Sequence, residues 1–530
     1  MHPDGSVSGI AGEPPPEALG EATTVEATTG RSVVAGGLWQ LTSYAIPQVY
    51  TIVMSVVAAR FLGPDGMGIQ SFIAFVAIST TTALASSMYA ALMRYVGETV
   101  GQGRNELLRP LFLWAWRVEA GAALLGAGAL AVAAAFGAEP RSAWLLAAVG
   151  VATGILHSVP TALLIGLQRF RRASVVGLVT GLIATIATVA VLWAGAGITG
   201  MFAVEAAVGI INLAWTSLLA RRTLAEAAPG PGVDSPELRR SVGHYALIAA
   251  LGVVLELIVG TRSEFYFLKR FSTPDQIAFY SIAFSAVTAL RLVPRSLGGA
   301  TAPAFATLFG AQAWERIRRG FGRSFRFILT ATLPLTAVAL ALGPPLVRQV
   351  YGSDYAGVEE PLRILLAGFP LIALSSVTNS LLGGFGMVRR TLVANAIAAG
   401  VDVGLAAALV PSLAANGAAI ANVGGEGTYV ILAIVFAVRR IGRFEWRPGL
   451  VARSVLASAA AGGTASGAYE ALGGVGGLAA GAVVAPAAYL IVGGLLRVVD
   501  ASDAAWLTDA FGSKGRGLVG RLVRLLAERT

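Results

Sequence analysis

The chain has 530 residues, 55% of them apolar and 13% charged, with a mean hydropathy of +0.72 and a formal net charge of +10. A soluble protein of this size carries about one quarter charged residues, so this composition excludes an ordinary soluble domain. Cysteine is absent, which excludes disulfides, thiolate metal sites and cysteine nucleophiles, and His2, His157 and His244 are too scattered for a metal cluster.

In chain order, residues 1–30 are rich in Pro, Glu, Thr and Gly and are expected to form a disordered cytoplasmic tail. They lack the basic start and short apolar core of a cleaved signal peptide. Apolar runs then follow one another at membrane-spanning length. In the first half they lie near 35–59, 68–93, 110–136, 143–166, 173–195 and 198–220. In the second half they lie near 242–268, 277–305, 324–347, 360–384, 391–411 and 415–438, with two more near 450–470 and 473–496. The expectation is an all-α integral membrane protein of about fourteen spans. Its domains are an N-lobe over 31–225, a C-lobe over 226–445, two extra spans over 446–498 and a cytoplasmic tail over 499–530. The tail, ending GLVGRLVRLLAERT, reads as a basic amphipathic helix that either docks on anionic lipid or stays solvated.

The basic residues follow topology. Loops on the side of the N-terminus, such as those around Arg104, Arg171, Arg221, Arg318, Arg389 and Arg440, together with both ends of the chain, hold 29 of the 39. This positive-inside pattern predicts both termini in the cytoplasm of a multi-pass protein of the bacterial cytoplasmic membrane. It also removes the reason to invoke nucleic acid as a partner.

The halves repeat. R-F-x-x-P-D occurs at Arg60 and again at Arg270. LLIGLQRFRRAS (163–174) faces SLLGGFGMVRRTL (380–392), and GAGITGMFAVEAA (195–207) faces SLAANGAAIANVGGE (412–426). Two copies of a six-helix unit with the same orientation predict a substrate site between them, near the midplane.

These stretches carry a resemblance. GGLWQLTSYAIPQVYTIVMSVVAARFLGPDGMG, LLIGLQRFRRAS and VYGSDYAGVEEPLRIL resemble segments of bacterial polysaccharide flippases. That group is the O-antigen and teichoic-acid exporter branch of the multidrug/oligosaccharidyl-lipid/polysaccharide exporter superfamily. The resemblance spans about residues 31–445. It implies a V-shaped, two-lobed bundle that flips a polyprenyl-diphosphate-linked glycan by alternating access, with a cavity between spans 1, 2, 7 and 8.

Candidate site residues fall in three groups. Gln40, Tyr44, Gln48, Thr51 and Ser55 form one polar helix face in the first span. That face either hydrogen-bonds a neighbouring helix or lines the cavity and contacts sugar hydroxyls; the bend marked by Pro47 favours the cavity. Arg291 and Arg295 sit one turn apart in an apolar run, where a charge costs ~2.5–3.5 kcal/mol on insertion scales and faces a cavity or a partner. They form a diphosphate clamp with Arg262 nearby, or a structural ion pair with Glu256, which lies at the depth of Arg291. Glu205, Asp402 and Glu426 are single acids in spans 6, 11 and 12, each a candidate for H+ or Na+ coupling or a hydrogen-bonded structural acid.

No cofactor is expected, and no enzyme motif is present. One rival is an ion-coupled exporter of small cationic drugs, which needs exposed acids where a net basic cavity is predicted. The other is a membrane glycan polymerase or glycosyltransferase, which needs a larger outer loop than RQVYGSDYAGVEEPLR. Expected partners are the lipid-linked glycan, the bilayer and other polysaccharide-assembly membrane proteins.

Overall fold

The computed structural model describes the backbone of residues 16–500 other than 231, 261, 262, 292, 293, 296–304 and 306, together with Leu526. Side chains are described from Gln48 onward, except at 256 and 258–260. The disordered tail expected over 1–30 is helical from Pro16, the first residue of α1 (Pro16–Gly101). A proline opening a helix and the Glu/Ala content that follows both favour this. The basic tail beyond Asp500, apart from Leu526, lies outside the described residues.

Helix α1 is interrupted at Gly63, whose φ of 67° lies in the left-handed region where a side chain is disfavoured. Next come α2 (Leu108–Ala135), α3 (Arg141–Gly166), α4 (Phe170–Trp193) and α5 (Gly197–Ala227). The second half has α6 (Pro236–Gly260), α7 (Glu264–Phe271), α8 (Pro274–Leu290), α9 (Trp314–Tyr351), α10 (Glu359–Ala373) and α11 (Ser375–Gly384). It continues with α12 (Val388–Ile441), broken at Ala414, and closes with α13 (Pro448–Leu472) and α14 (Gly474–Leu496). Among the described residues, ten helices are long and apolar enough to cross a membrane. The stretches Gln48–Gly101 and Val388–Ile441 each have 54 residues. At about 1.5 Å per residue each exceeds twice the ~30 Å hydrocarbon thickness, so each supplies two passes about its break.

The duplication is visible in the bends. Pro160 lies inside α3 and Pro370 inside α10, helices from corresponding parts of the two copies. Each removes a helical N–H and crowds the preceding turn. In the first half α3 packs against α1, α2 and α5, with α4 on α5; in the second, α12 packs against α6, α7 and α10. The added pair α13–α14 lies on α9, where the Tyr489 hydroxyl donates to the Thr330 carbonyl at 3.0 Å and Gly462 lets Ala337 approach.

Helix α6 belongs to both lobes. Its start is tethered to the first lobe: Val233 N–H donates to the Glu106 carbonyl at 2.9 Å, and Gly232 lies against Pro110. Val242 and Ala246 are buried in the core with Met88, Leu111 and Leu163. Tyr95 meets Tyr245 edge-on at 6.1 Å, and the Arg94 guanidinium lies over both rings. Covalently α6 opens the second copy, yet its first turns pack as a member of the first.

Candidate functional site

At the end of the bundle opposite the arginine-rich loops, the two halves are in contact. Arg60 donates through Nε to the Val350 carbonyl at 2.8 Å and through Nη2 to the Gln349 carbonyl at 2.9 Å. These carbonyls belong to the last turn of α9, where orphaned acceptors and the helix dipole favour a cation. The Tyr355 hydroxyl donates to the Ala59 carbonyl at 2.8 Å, and the Ser55 and Tyr351 hydroxyls are 3.1 Å apart. Deeper, Phe75 stacks on Phe265 with ring centroids 4.9 Å apart. Gly68 faces Pro274 so closely that a Cβ would lie 1.7 Å from the Pro274 oxygen.

Inside the second lobe is a polar cluster. Ser263 Oγ donates to Asp402 Oδ2 at 2.5 Å. Glu264, fully buried, has the Asp402 carboxyl and the Tyr280 hydroxyl beside it, and neither of its oxygens accepts a well-aligned hydrogen bond. Gly425 makes room for this arrangement: a Cβ there would lie 2.7 Å from that of Asp402. Next to Gly425 on α12, Glu426 offers Oε1 to Arg291 Nη2, with side-chain exposures of 13% for the arginine and 9% for the acid. Asn422, four residues before Glu426, is fully buried with neither amide atom hydrogen-bonded.

Local sequence explains why Arg291 is presented here. Pro294 has no N–H to continue α8, which ends at Leu290 with Arg291 as its C-cap. The Arg291 guanidinium reaches α12 from this cap. Two carboxyls side by side in a low-dielectric interior repel unless a proton or cation sits between them. The cluster therefore has a place for one positive charge in addition to Arg291.

The expected residues are distributed as follows. Arg291, Asp402 and Glu426 come together. Arg295 is exposed and donates its backbone N–H to the Arg291 carbonyl at 3.0 Å. Ser55 meets Tyr351, Gln48 is half-buried and Thr51 is exposed. Glu205 stands on α5 in the other lobe and is exposed. The side chains of Gln40, Tyr44 and Glu256, and the whole of Arg262, lie outside the described residues. Among the described residues, the carboxylate found with Arg291 is Glu426.

Beside spans 7 and 8 stand Arg291 and the exposed Arg295 together with three buried acids, Glu264, Asp402 and Glu426, so both signs of charge are present. Glu264 and Asn422 were not anticipated. Asn422 shares the helical face of Glu426, an i, i+4 pair of polar groups in an apolar span, and that spacing was the available signal.

A family model described as MatE matches residues 236–407. No curated protein matches the chain in sequence. Among solved structures, the lipid II flippase MurJ in an inward closed conformation superposes with a TM-score of 0.66 at 13% identity, covering 86% of this chain and 97% of that one. An inward-facing multidrug resistance MATE family transporter of the MOP superfamily gives 0.64 at 15% identity, covering 75% and 97%. A MOP superfamily transporter from Pyrococcus furiosus gives 0.53 at 14% identity, covering 78% and 96%. The fold is that of the MOP-superfamily transporters.

Proposed function

We propose that this chain is a transporter of the bacterial cytoplasmic membrane that moves a polyprenyl-diphosphate-linked oligosaccharide to the outer leaflet by alternating access, for cell-surface polysaccharide assembly. The observation that carries this reading is Arg291, a largely buried guanidinium that pairs, among the described residues, with the Glu426 carboxylate. A diphosphate offers more acceptor oxygens than one carboxylate and matches the planar fork of arginine. As headgroup enters, Arg291 exchanges Glu426 for phosphate, and Arg295 supplies a second exposed cation one turn away. The sugars meet the polar face that includes Gln48, Thr51 and Ser55, and the prenyl chain stays in lipid. Both termini are cytoplasmic, so the closed end described above is the outer one.

Release of Glu426 joins cargo to the ion. An acid freed from its arginine, beside Asp402 and Glu264, becomes a better host for H+ or Na+. Cargo and ion then bias the same cluster, which is the thermodynamic requirement for coupling. The fold is shared with a protein described as a lipid II flippase, which favours a lipid-linked cargo. The buried acids are the observation that favours the second reading, an ion-coupled exporter of small molecules. No bond is made or broken in either.

The test is flipping of a fluorescent undecaprenyl-diphosphate sugar in proteoliposomes. Arg295→Ala removes an exposed side chain and leaves the Arg291–Glu426 pair intact. The expected result is at least a tenfold slower flip, from loss of charge-assisted contacts of about 1.5–3 kcal/mol. Full activity of Arg295→Ala and of the Arg291→Met/Glu426→Met double variant would remove the clamp. Export of an organic cation without flipping would favour the second reading.

A further inference from the structure

A cavity of about 220 Å3 opens between the lobes at the end opposite the arginine-rich loops. Phe72 and Trp144 wall it from the first lobe, Pro274 and Ile277 from the second. Trp144 is 6% exposed and set edge-on to Phe72, with centroids 6.2 Å apart, so the aromatic wall is rigid. Two opposite charges face the space. Glu139, on the α2–α3 loop, is fixed by accepting the Arg141 N–H at 3.1 Å. Lys269, at the end of α7, stands 5.7 Å from the Phe72 centroid. Among the described residues no ion pair joins them.

An ammonium only donates hydrogen bonds and an ionised carboxylate only accepts them. Hydroxyl groups do both, so a polyhydroxylated ligand satisfies each wall at once. The site carries no net charge, and an acidic or basic ligand would meet one repelling group. Its volume lies below the ~300–1,000 Å3 of drug-sized sites, which selects a single ring.

We infer that this cavity binds one neutral monosaccharide ring, and that the bound sugar, by touching Trp144 and Glu139 on one lobe and Lys269 on the other, holds that end of the molecule closed. A ligand that contacts both lobes only when they are together favours that state by its differential affinity. With the closed end outside, external sugar slows the transport cycle from the far side of the membrane. The inference does not depend on what the central cargo is.

The full chain in nanodiscs is titrated with D-glucose, D-galactose and N-acetylglucosamine, and in parallel with glucuronate and glucosamine, by saturation-transfer NMR. Saturable binding of a neutral sugar in the millimolar range is expected, weakened about tenfold in both Glu139→Gln and Lys269→Met. Both residues are exposed, so both variants fold. Spin labels on Asp65→Cys and Asp354→Cys, one on each lobe, are expected to shift towards the short-distance population when sugar is added. The inference is overturned by any of three results: no saturation by a neutral sugar, affinity unchanged in both variants, or tighter binding of the charged sugars. Binding with no change in the label distances overturns the gating half.

Discussion

The Arg60 guanidinium spans the two lobes, its Nε 2.8 Å from the carbonyl oxygen of Val350 at the end of α9. Arg60 is exposed, so its Coulomb energy is screened, but the two hydrogen bonds are directional and charge-assisted. Arg60→Gln is expected to weaken closure by about 1–2 kcal/mol, a five- to thirtyfold shift toward the state open at that end. The chain contains no cysteine, so spin labels introduced through Asp65→Cys and Asp354→Cys report only the lobes, and the distance between them measures the shift. An unchanged distance distribution would show that the aromatic contacts beneath suffice.

Gly68 makes a stricter demand. A Cβ there would sit 1.7 Å from the Pro274 oxygen, a backbone atom that cannot rotate away. Gly68→Ala is expected to abolish the closed state and stop transport while leaving each lobe folded. Overpacking costs of about 1–3 kcal/mol fall on the closed state alone, so thermal melting should change little. If Gly68→Ala still closes, the lobes approach by a different path from the one seen here.

Much of this fold was legible in the sequence because the membrane imposes a length on every helix. The pair expected at 450–470 and 473–496 is found as helices Pro448–Leu472 and Gly474–Leu496, the second of them long and apolar enough to cross a membrane. Polar pairings were less legible. Matched depth offered Glu256 for Arg291, and the Glu256 side chain lies outside the described residues. The partner that is described, Glu426, comes from 135 residues further along the chain and could not be paired by depth alone. Glu264 was not among the expected site residues, yet the short helix α7 buries it completely. The packing of Val242 and Ala246 with the helices of the first half is a feature no linear boundary conveys.

The Arg291–Glu426 pair separates stability from transport. Removing one partner leaves a charge stranded at 13% or 9% exposure, and breaking such a pair costs about 3–5 kcal/mol. Arg291→Met and Glu426→Met are each expected to lower the melting temperature in detergent clearly. The double variant is expected to recover most of that loss, since two apolar side chains replace two buried charges. Flipping should stay low in Arg291→Met and in the double variant alike. Recovery of transport along with stability would make the pair purely structural.

Gly425 and Gly424 offer a paired comparison at the acid cluster. A Cβ on Gly425 would lie 2.7 Å from the Asp402 Cβ, next to the backbone and with little room to yield. A Cβ on Gly424 would meet Leu405 Cδ1 at 2.4 Å, the far end of a side chain that can change rotamer. Gly425→Ala is therefore expected to push Asp402 away from Ser263 and Glu264, destabilising by about 1–3 kcal/mol. Its flipping should lose the response to an imposed H+ or Na+ gradient, as Asp402→Asn should. Gly424→Ala is expected to keep both the response and, within about 1 kcal/mol, the stability. A gradient response retained in Gly425→Ala and Asp402→Asn would place ion coupling elsewhere, with Glu205 on α5 the next residue to vary.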